Sequence, residues 1–347
     1  MRGKRILFEI AHPKHYHQFK PMMEKLTEDN EVYMIARDKD VVLDLVKKSG
    51  IPYQKYGMHG KGLIQKILVI PAILLDYWKV FRRFKPDMIV SRSSPYSPVI
   101  TKFSKAKTVI FPDAEVVPLI NKFVAPNSDL IITPDNFTLN YGDHHHRIDG
   151  FFEESYLSPD RFVPDWNKLA PLGLEPNEPF SLLRFVGWFA NHDVNQGGFS
   201  MEQRKQLVEM LQTKGKVFIS SEAQLPEWFR PFQLTTDPSD IHHVLHFAST
   251  YVGDSQTMAT EAALLGTPAI RYNSFVGEGD MSNFIILEKE LDMLRNVPSF
   301  EDLISTLSGF LKDDNLKQSW LSKRENFFGN KQDITDQSLK KLELAAQ

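Results

Sequence analysis

The sequence predicts an α/β fold of two domains, each built around a parallel β-sheet. Short apolar runs of strand length alternate along the chain with segments of helix length, which is typical of βαβ units. A proline-rich stretch at residues 164–179 interrupts this alternation near the middle of the chain. The length of 347 residues also suits two domains of ordinary size.

The first half of the chain contains several predicted strands and helices. The strands are Ile6–Ile10, Val32–Ala36, Met88–Ser91, Thr108–Phe111 and Leu130–Thr133. The helices are Tyr16–Leu26, Val41–Ser49 and Leu63–Phe84. Right-handed crossovers between parallel strands bring the carboxyl ends of the strands to one edge of the sheet. The residues that follow each strand are therefore predicted to line a ligand crevice.

The second half of the chain repeats the alternation. Its predicted strands are Ser181–Val186, Lys216–Ser220, Tyr251–Gly253 and Ala269–Tyr272. Its predicted helices are Met201–Thr213, Ser239–Ala248, Thr257–Leu265, Phe300–Leu311, Asn315–Phe328 and Ile334–Ala346. We therefore predict a first domain at residues 1–163, a linker at 164–179 and a second domain at 180–330. The last helix, within residues 331–347, is predicted to return to the first domain.

Composition and charge argue against several classes of protein. The formal net charge is -3, so no overall positive field favours a nucleic-acid partner. The absence of cysteine rules out disulfides, thiolate metal sites and a cysteine nucleophile. The first apolar run contains Glu9 and is too short for a signal peptide, and no run reaches the roughly 18–20 apolar residues of a membrane-spanning helix. These features predict a cytoplasmic protein.

The segment from Tyr251 to Ile270 carries most of the functional information. A predicted strand ends in the polar turn Gly253–Thr257, and an alanine-rich helix follows. The free N–H groups and the dipole at the start of such a helix favour a diphosphate. The hydroxyls of Ser255 and Thr257 add donors, and Glu261 lies one turn further along the same face, where it can accept hydrogen bonds from a ribose diol. The alternative is an ordinary capped helix of a βαβ unit.

This segment resembles the C-terminal-domain signature of the GT-B superfamily, and especially that of the non-hydrolysing UDP-GlcNAc 2-epimerases. Their pattern is Asp-Ser-Gly-Gly-x-Gln-Glu-Glu-Ala-x-x-Leu-Gly-x-Pro. The residues that match at the same spacing are Asp254, Ser255, Glu261, Ala262, Leu265, Gly266 and Pro268. The residues that depart from the pattern are Gln256, Thr257, Ala259 and Thr260. The chain is also similar to a little-characterised archaeal and bacterial GT-B-like family, through Gly253–Ala262 and the run Leu183–Val186.

The resemblance implies an α/β, GT-B-like fold with two Rossmann-like domains facing across a cleft. It implies a nucleoside-diphosphate sugar as substrate, with the base left open, and a sugar or lipid-linked acceptor. Glu261 would bind the ribose, and the turn with Asp254, Ser255, Gln256 and Thr257 would bind the phosphates. We expect a glycosyltransferase-like enzyme of surface polysaccharide or glycoconjugate biosynthesis that needs no cofactor or metal ion. The alternatives are a UDP-sugar 2-epimerase or hydrolase on the same fold, and a non-catalytic sugar-nucleotide-binding protein.

Polar residues that follow the first-domain strands are candidates for catalysis. His12 and His15 follow the first strand and titrate near neutral pH, so either is a candidate general base. Asp113 and Glu115 follow a later strand and are alternative bases for an acceptor hydroxyl. Arg92 follows the strand between them and is predicted to hold an anionic group. Structural capping and surface histidines are the competing interpretations.

Candidate binding residues also follow the second-domain strands. An arginine inside an apolar strand is costly unless it is paired, so Arg184 is predicted to bind a phosphate or a nearby carboxylate. Gly187 follows this strand and permits close approach of the backbone to a ligand. The residues predicted to line the donor site are Ser220 and Glu222. The residues predicted to contact the nucleotide base are Ile241 and His242.

The predicted helix Leu63–Phe84 has an apolar middle and a basic end. One interpretation is a core helix. The other is a membrane-surface patch at residues 63–85 that serves a lipid-linked acceptor and places the protein at the inner face of the membrane. The histidine run at 144–146 is predicted to be structural or exposed to solvent, because adjacent side chains rarely converge on one metal ion. The sequence leaves the oligomeric state open.

Overall fold

The computed structural model describes residues 1–38, 41–57, 68–186, 199–221, 224–273, 276–277, 279–329 and 331–345. The chain forms two compact units. Unit 1 consists of Met1–Tyr156 and Gln332–Gln347, so the C-terminal segment belongs with the N-terminal half. Unit 2 consists of Leu157–Lys331. Residues 164–179, predicted as a linker, lie inside unit 2, where Trp166 packs edge-on against Phe247.

The boundaries of the elements follow the sequence predictions closely. Within the described residues the strands are β1 (Arg5–Ile10), β2 (Glu31–Arg37), β3 (Tyr53–Tyr56), β4 (Met88–Ser91), β5 (Lys107–Ile110), β6 (Leu130–Pro134), β7 (His145–Ile148), β8 (Phe180–Phe185), β9 (Lys216–Ser221), β10 (Thr250–Gly253), β11 (Ala269–Tyr272) and β12 (Arg295–Val297). The helices are α1 (Pro13–Leu26), α2 (Val42–Lys48), α3 (Ile70–Phe84), α4 (Ser97–Thr101), α5 (Glu154–Leu157), α6 (Met201–Gln212), α7 (Ile241–Phe247), α8 (Gln256–Leu264), α9 (Ser282–Lys289), α10 (Phe300–Phe310), α11 (Leu316–Phe328) and α12 (Ile334–Ala345). A single π-helical turn spans Ile120–Val124.

Unit 1 is built on a parallel sheet in the order β3-β2-β1-β4-β5-β6-β7. The direction of the order reverses between β1 and β4, which pair directly. Side chains alternate along β1: Ile6 and Phe8 enter the core that includes α1, α2 and α12, whereas Leu7 enters the core on the opposite face, beneath α3. Leu342 of α12 is fully buried in the first of these cores.

Unit 2 is built on a second parallel sheet, in the order β12-β11-β10-β8-β9. Its order reverses between β8 and β10. Leu183 and Phe185 of β8 are fully buried against apolar residues of α6 and α10. In open parallel sheets the ligand crevice lies at the carboxyl ends of the strands where the order reverses, so each unit has one such position.

Three strands, β3, β7 and β12, were not predicted. All three lie at the edges of the two sheets. An edge strand buries less of its surface than a central strand, so its sequence carries a weaker apolar pattern. Their sequences are correspondingly polar: Tyr-Gln-Lys-Tyr, His-His-Arg-Ile and Arg-Asn-Val.

The histidine run has a structural role at β7. His145 and His146 lie on the strand, where successive side chains point to opposite faces. His145 accepts the N–H of Tyr141 at Nδ1 and donates from Nε2 to the hydroxyl of Thr133, 2.7 Å away. Burial and Arg147 lower the pKa of His145 to about 4. Across the described part of the chain, no three histidine or carboxylate side chains form a group that could hold a metal ion.

Gly253 allows β8 and β10 to approach closely at the point where the strand order of unit 2 reverses. It ends β10 and pairs with Arg184 on β8. A Cβ atom built on Gly253 would lie 2.6 Å from the hydroxyl of Tyr251 and 2.8 Å from the carbonyl oxygen of Arg184. Both distances are shorter than the contacts that real Cβ atoms make, so any other residue would force the neighbouring atoms to shift.

We expect Gly253→Ala to destabilise unit 2 by about 1–3 kcal/mol, because the added methyl group must displace the backbone of β8. The measurement is a urea titration followed by circular dichroism. Gly309→Ala is the matched control: Gly309 lies within α10 with open space around its Cβ position, so alanine should stabilise that helix by about 0.5–1 kcal/mol. Unchanged midpoints in Gly253→Ala would contradict the close packing.

Candidate functional site

Six of the predicted residues of unit 2 lie at or just beyond the carboxyl ends of β8, β9 and β10: Arg184, Ser220, Asp254, Ser255, Gln256 and Thr257. Ser255 caps α8, and its hydroxyl accepts the N–H of Met258 at 3.3 Å. Asp254 accepts the N–H of Val186, the residue after β8, at 2.8 Å. The side chains of Gln256 and Thr257 are half-buried in the first turn of α8. The N–H groups of Gln256 and Thr257 have no carbonyl partner within the helix, so they are available to an anion.

Arg184 lies beside this helix start. Its guanidinium donates to the hydroxyl of Ser220, its partner on the adjacent strand β9, at a distance of 2.9 Å. Arg184 is half-buried, so its charge lies close to the surface at the carboxyl end of the sheet. Gly187 and Glu222, the other two predicted residues of this part of the chain, lie outside the described residues.

Two residues that were not predicted support Asp254. Asn273, at the end of β11, donates to the carbonyl oxygen of Asp254 at 3.3 Å. Arg204 of α6 is buried over the ring of Phe185, 5.1 Å from its centre, and attracts the Asp254 carboxylate. Burial raises the pKa of Asp254, which the N–H of Val186 partly offsets. An arginine on the apolar side of an amphipathic helix is the sequence signal that could have identified Arg204.

Glu261 and His242 form a buried pair within unit 2. The Nε2 atom of His242 lies 3.3 Å from an Oε atom of Glu261, and both side chains are more than 90% buried. The sequence predicted contacts to the ribose for Glu261 and to the base for His242. The structure brings these two side chains together on neighbouring helices, α8 and α7. Ile241, the third predicted residue, begins α7 and is half-buried.

In unit 1, His12 and His15 lie where β1 passes into α1. His12 is the N-cap of α1, and its Nδ1 accepts the N–H of Lys14 at 3.2 Å. The Nδ1 atom of His15 accepts the N–H of Ala11 at 3.4 Å. Because a backbone N–H always donates, each ring in its neutral form carries its proton on Nε2. Burial, followed by the charge of Arg92, holds the pKa of His15 well below its usual value.

An ion network joins the first turn of α1 to the segments that follow β4, β5 and β7. Lys14 contacts the carboxylates of Asp113 at 2.9 Å and Glu153 at 2.8 Å. Arg92 also pairs with Asp113, donates to Gln18 of α1, and lies over the ring of Phe152. The sequence identified Arg92 and Asp113 but missed Lys14, Gln18 and Glu153. The signal for Lys14 was its place between two candidate histidines in the loop after β1.

The network fixes the charges of its members. Burial by itself would raise the pKa of Asp113, but Arg92 and Lys14 hold that pKa well below its usual value. Burial likewise opposes the charge of Lys14, whereas Asp113 and Glu153 raise its pKa. Asp113 is therefore a carboxylate at neutral pH, and its side chain is 40% exposed while that of Arg92 is 4% exposed.

Glu115 contacts other residues than those of the ion network. Its Oε1 accepts the N–H and the hydroxyl of Thr138, at 2.6 and 2.9 Å, and so anchors the loop between β6 and β7. Its backbone carbonyl accepts the side-chain amide of Asn121. These contacts suit a structural role better than the predicted catalytic one.

Unit 1 also buries a carboxylate on the face of β1 that packs with α3. Glu9 accepts the hydroxyl of Tyr56 at 2.5 Å. Burial raises the pKa of Glu9, which hydrogen bonds from Ser94, Tyr56 and Tyr77 partly offset. An acidic residue within an otherwise apolar strand was the available signal for it.

The sequence profile of one protein family, described as "protein of unknown function (DUF354)", matches residues 5–330. The chain belongs to this family. No protein with a curated description matches it significantly. Comparison of the DUF354 chain with solved structures finds the same two-domain architecture at low sequence identity.

Three solved structures illustrate this similarity. The UDP-GlcNAc 2-epimerase from Neisseria meningitidis, bound to UDP-GlcNAc, gives a TM-score of 0.64 at 10% identity over 97% of this chain and 99% of that chain. The UDP-GlcNAc 2-epimerase from Methanocaldococcus jannaschii gives 0.60 at 12% identity, over 89% and 93%. The spinosyn forosaminyltransferase SpnP gives 0.61 at 16% identity, over 99% and 100%. The predicted GT-B-like α/β fold of two Rossmann-like domains is confirmed.

We expect the stability of unit 1 to fall as the pH drops below about 6.5, partly because of His15. The unfolded chain then binds a proton that folded His15, with its lowered pKa, does not. The contribution of neutral His15 to the free energy of unfolding is therefore fully present above pH 6.5. It is lost progressively below that pH, by up to about 1.4 kcal/mol per pH unit. Urea midpoints at pH 7, 6 and 5 should fall less steeply in His15→Gln than in the wild type. Parallel pH profiles would refute this assignment.

Proposed function

We propose that this DUF354 protein is a glycosyltransferase-like enzyme that uses a nucleoside-diphosphate sugar. The observation that carries the proposal is the arrangement where β8 and β10 end. There the half-buried first turn of α8 begins two residues after Asp254, and the charge of Arg184 acts on the Asp254 carboxylate. This combination of free N–H groups, helix dipole and fixed cation suits the diphosphate of a sugar nucleotide.

The same groups suit the chemistry of transfer. The diphosphate gains negative charge as the bond to the sugar breaks, and the α8 dipole with Arg184 would stabilise that charge without reorganising. Ser255 holds the first turn of α8 in place through its cap to Met258. The carboxylate of Glu261, positioned by His242, would accept hydrogen bonds from the ribose. The fold shared with an epimerase that is bound to UDP-GlcNAc supports the class of donor.

Unit 1 would supply the groups that bind the acceptor. Asp113 is the accessible carboxylate of its ion network and is ionised at neutral pH. A carboxylate with a lowered pKa is a weak base, so it would take the proton late, once the acceptor oxygen has begun to bond to the sugar and has become acidic. His12 and His15 would act as hydrogen-bond donors through Nε2, because their Nδ1 atoms are engaged.

Arg184→Gln is expected to weaken binding of nucleoside diphosphates by about 10- to 100-fold, the effect of losing one charge-assisted contact. Calorimetric titration with UDP, GDP, CDP and dTDP measures it and also names the base. Arg230→Gln is the matched control, because Arg230 is an exposed arginine elsewhere in unit 2. If none of the four nucleotides binds the wild type at millimolar concentration, the proposal fails.

Glu261→Ala is expected to separate ribose recognition from phosphate recognition. Affinity for the preferred nucleoside diphosphate should fall by about tenfold, the effect of losing hydrogen bonds to a carboxylate, while affinity for inorganic pyrophosphate stays unchanged. Arg184→Gln should weaken both ligands. Equal losses for both ligands in Glu261→Ala would instead indicate a general disturbance of α8.

The alternatives have distinct products. Each sugar nucleotide that binds is incubated with the enzyme in the absence of acceptor and followed by proton NMR. A donor that stays unchanged is the result expected of a transferase in the absence of its acceptor, and it excludes an epimerase and a hydrolase. Appearance of the C2 epimer or of free sugar would replace the proposal with an epimerase or a hydrolase on the same fold.

A further inference from the structure

Unit 1 exposes a concentration of large apolar side chains on one side. Nine of them lie just before and on α3, on and just after α4, and on the segment 116–123. They are Leu68, Ile70, Leu75, Trp78, Val99, Phe103, Val116, Leu119 and Phe123. Phe103 is 93% exposed and Trp78 is 48% exposed. Scattered exposed apolar residues are normal, whereas a cluster of this kind marks an interaction surface.

These segments belong to one layer of the fold. Alternate residues of a strand point to opposite faces of the sheet. Ile89 of β4 packs with the inner side of α3, and Ile110 of β5 packs with Val124 of the π-helical turn. Their neighbours along the strands, including Val90 and Val109, pack on the face that includes α1 and α12. The nine residues therefore lie on the outer side of a single layer.

Helix α3 shows the pattern most clearly. Ile73, Tyr77 and Val80 are buried against the sheet. On the other side of the helix, Leu75 and Trp78 face solvent. A helix that is apolar on both sides is expected to be covered on both sides. The inner side of α3 packs in the core, as one interpretation of the sequence predicted. The outer side is exposed and available to a partner.

The charges within this layer are predominantly positive. Residues 68–105 contain six exposed lysine or arginine residues and two aspartates. Arg82 lies over the ring of Trp78 at 5.4 Å, and Lys102 lies near the ring of Phe103 at 5.9 Å. Of the two aspartates, Asp76 pairs with Lys79 at 3.6 Å. Basic and aromatic side chains are thus interleaved on one surface.

We propose that this surface, defined by the nine apolar residues with Lys79, Arg82 and Lys102, binds an anionic phospholipid bilayer. Apolar and aromatic side chains would enter the boundary between headgroups and acyl chains, while the basic side chains contact lipid phosphates. A protein partner would need only matching apolar area, but the interleaved positive charge favours a surface that is both apolar and anionic. No helix in the described part of the chain is long and apolar enough to cross a membrane, so the contact is interfacial.

The proposal stands independently of the sugar-nucleotide function. It extends the sequence interpretation of residues 63–85, of which 63–67 lie outside the described residues, to the neighbouring elements of the same layer. If both proposals hold, the acceptor is a glycan or alcohol carried on a lipid.

The test is co-sedimentation of the full chain with vesicles. One set contains phosphatidylcholine alone, and the other contains equal parts of phosphatidylcholine and phosphatidylglycerol. We expect binding to the anionic vesicles that weakens in high salt, and about tenfold or greater loss in the triple variant Leu75→Ser, Trp78→Ser, Phe103→Ser. The double variant Arg82→Gln, Lys102→Gln should bind the anionic vesicles less than the wild type does. Its binding to vesicles of phosphatidylcholine alone should equal that of the wild type.

The matched control replaces exposed apolar residues of unit 2: Val163→Ser, Trp228→Ser and Ile285→Ser. It should bind vesicles like the wild type, and circular dichroism establishes that both triple variants are folded. Absence of vesicle binding, or equal binding by both triple variants, overturns the proposal. So does a wild-type dimer that the Leu75, Trp78 and Phe103 substitutions dissociate, because a second copy would then be the occupant. Binding of UDP, GDP, CDP and dTDP by the triple variant is measured in parallel, so failure here is distinguishable from failure of the proposed function.

Discussion

The pairing of β8 with β10 is the constraint on which the candidate donor site depends. Gly253 and Arg184 are opposite each other in this pairing, and only glycine leaves room for the Arg184 backbone. The next residue, Asp254, can then accept the N–H of Val186 and tie the two strand ends together. Ser255 follows at once and starts α8. A wider separation of these strands would move Arg184 away from the helix start.

The fold could be predicted because central parallel strands are buried on both faces and appear in the sequence as continuous apolar runs. The edge strands β3, β7 and β12 could not, since their residues are mostly polar. Unit 2 residues were identified because the turn and helix at Gly253–Glu261 are contiguous in sequence. The ion network of unit 1 was found only in part, because Lys14 and Glu153 meet across 139 positions of sequence and no local pattern connects them.

Hydrogen bonds change the roles that residue types alone suggest. A histidine after the first strand is an attractive base, yet backbone N–H groups occupy Nδ1 of both His12 and His15. The proton of each neutral ring therefore sits on Nε2, and the ring is a donor. The acidic residue Asp113 is accessible and ionised, and it is therefore the proton acceptor that we propose for this region. Sequence gives the candidates, but only the backbone geometry distinguishes acceptor from donor.

Stability alone does not account for the ion network in unit 1, whereas the proposed function gives it a role. Removing Lys14, Arg92 and Glu153 from water costs free energy that ionic attraction often fails to recover, and apolar replacements are frequently as stable or more so. Arg92 is almost fully buried, and Lys14 is held between Asp113 and Glu153. These groups sit where the strand order of the sheet reverses, the position at which parallel sheets bind ligands. A fixed array of opposite charges at that position can orient a polar acceptor before transfer, which an apolar core could not do.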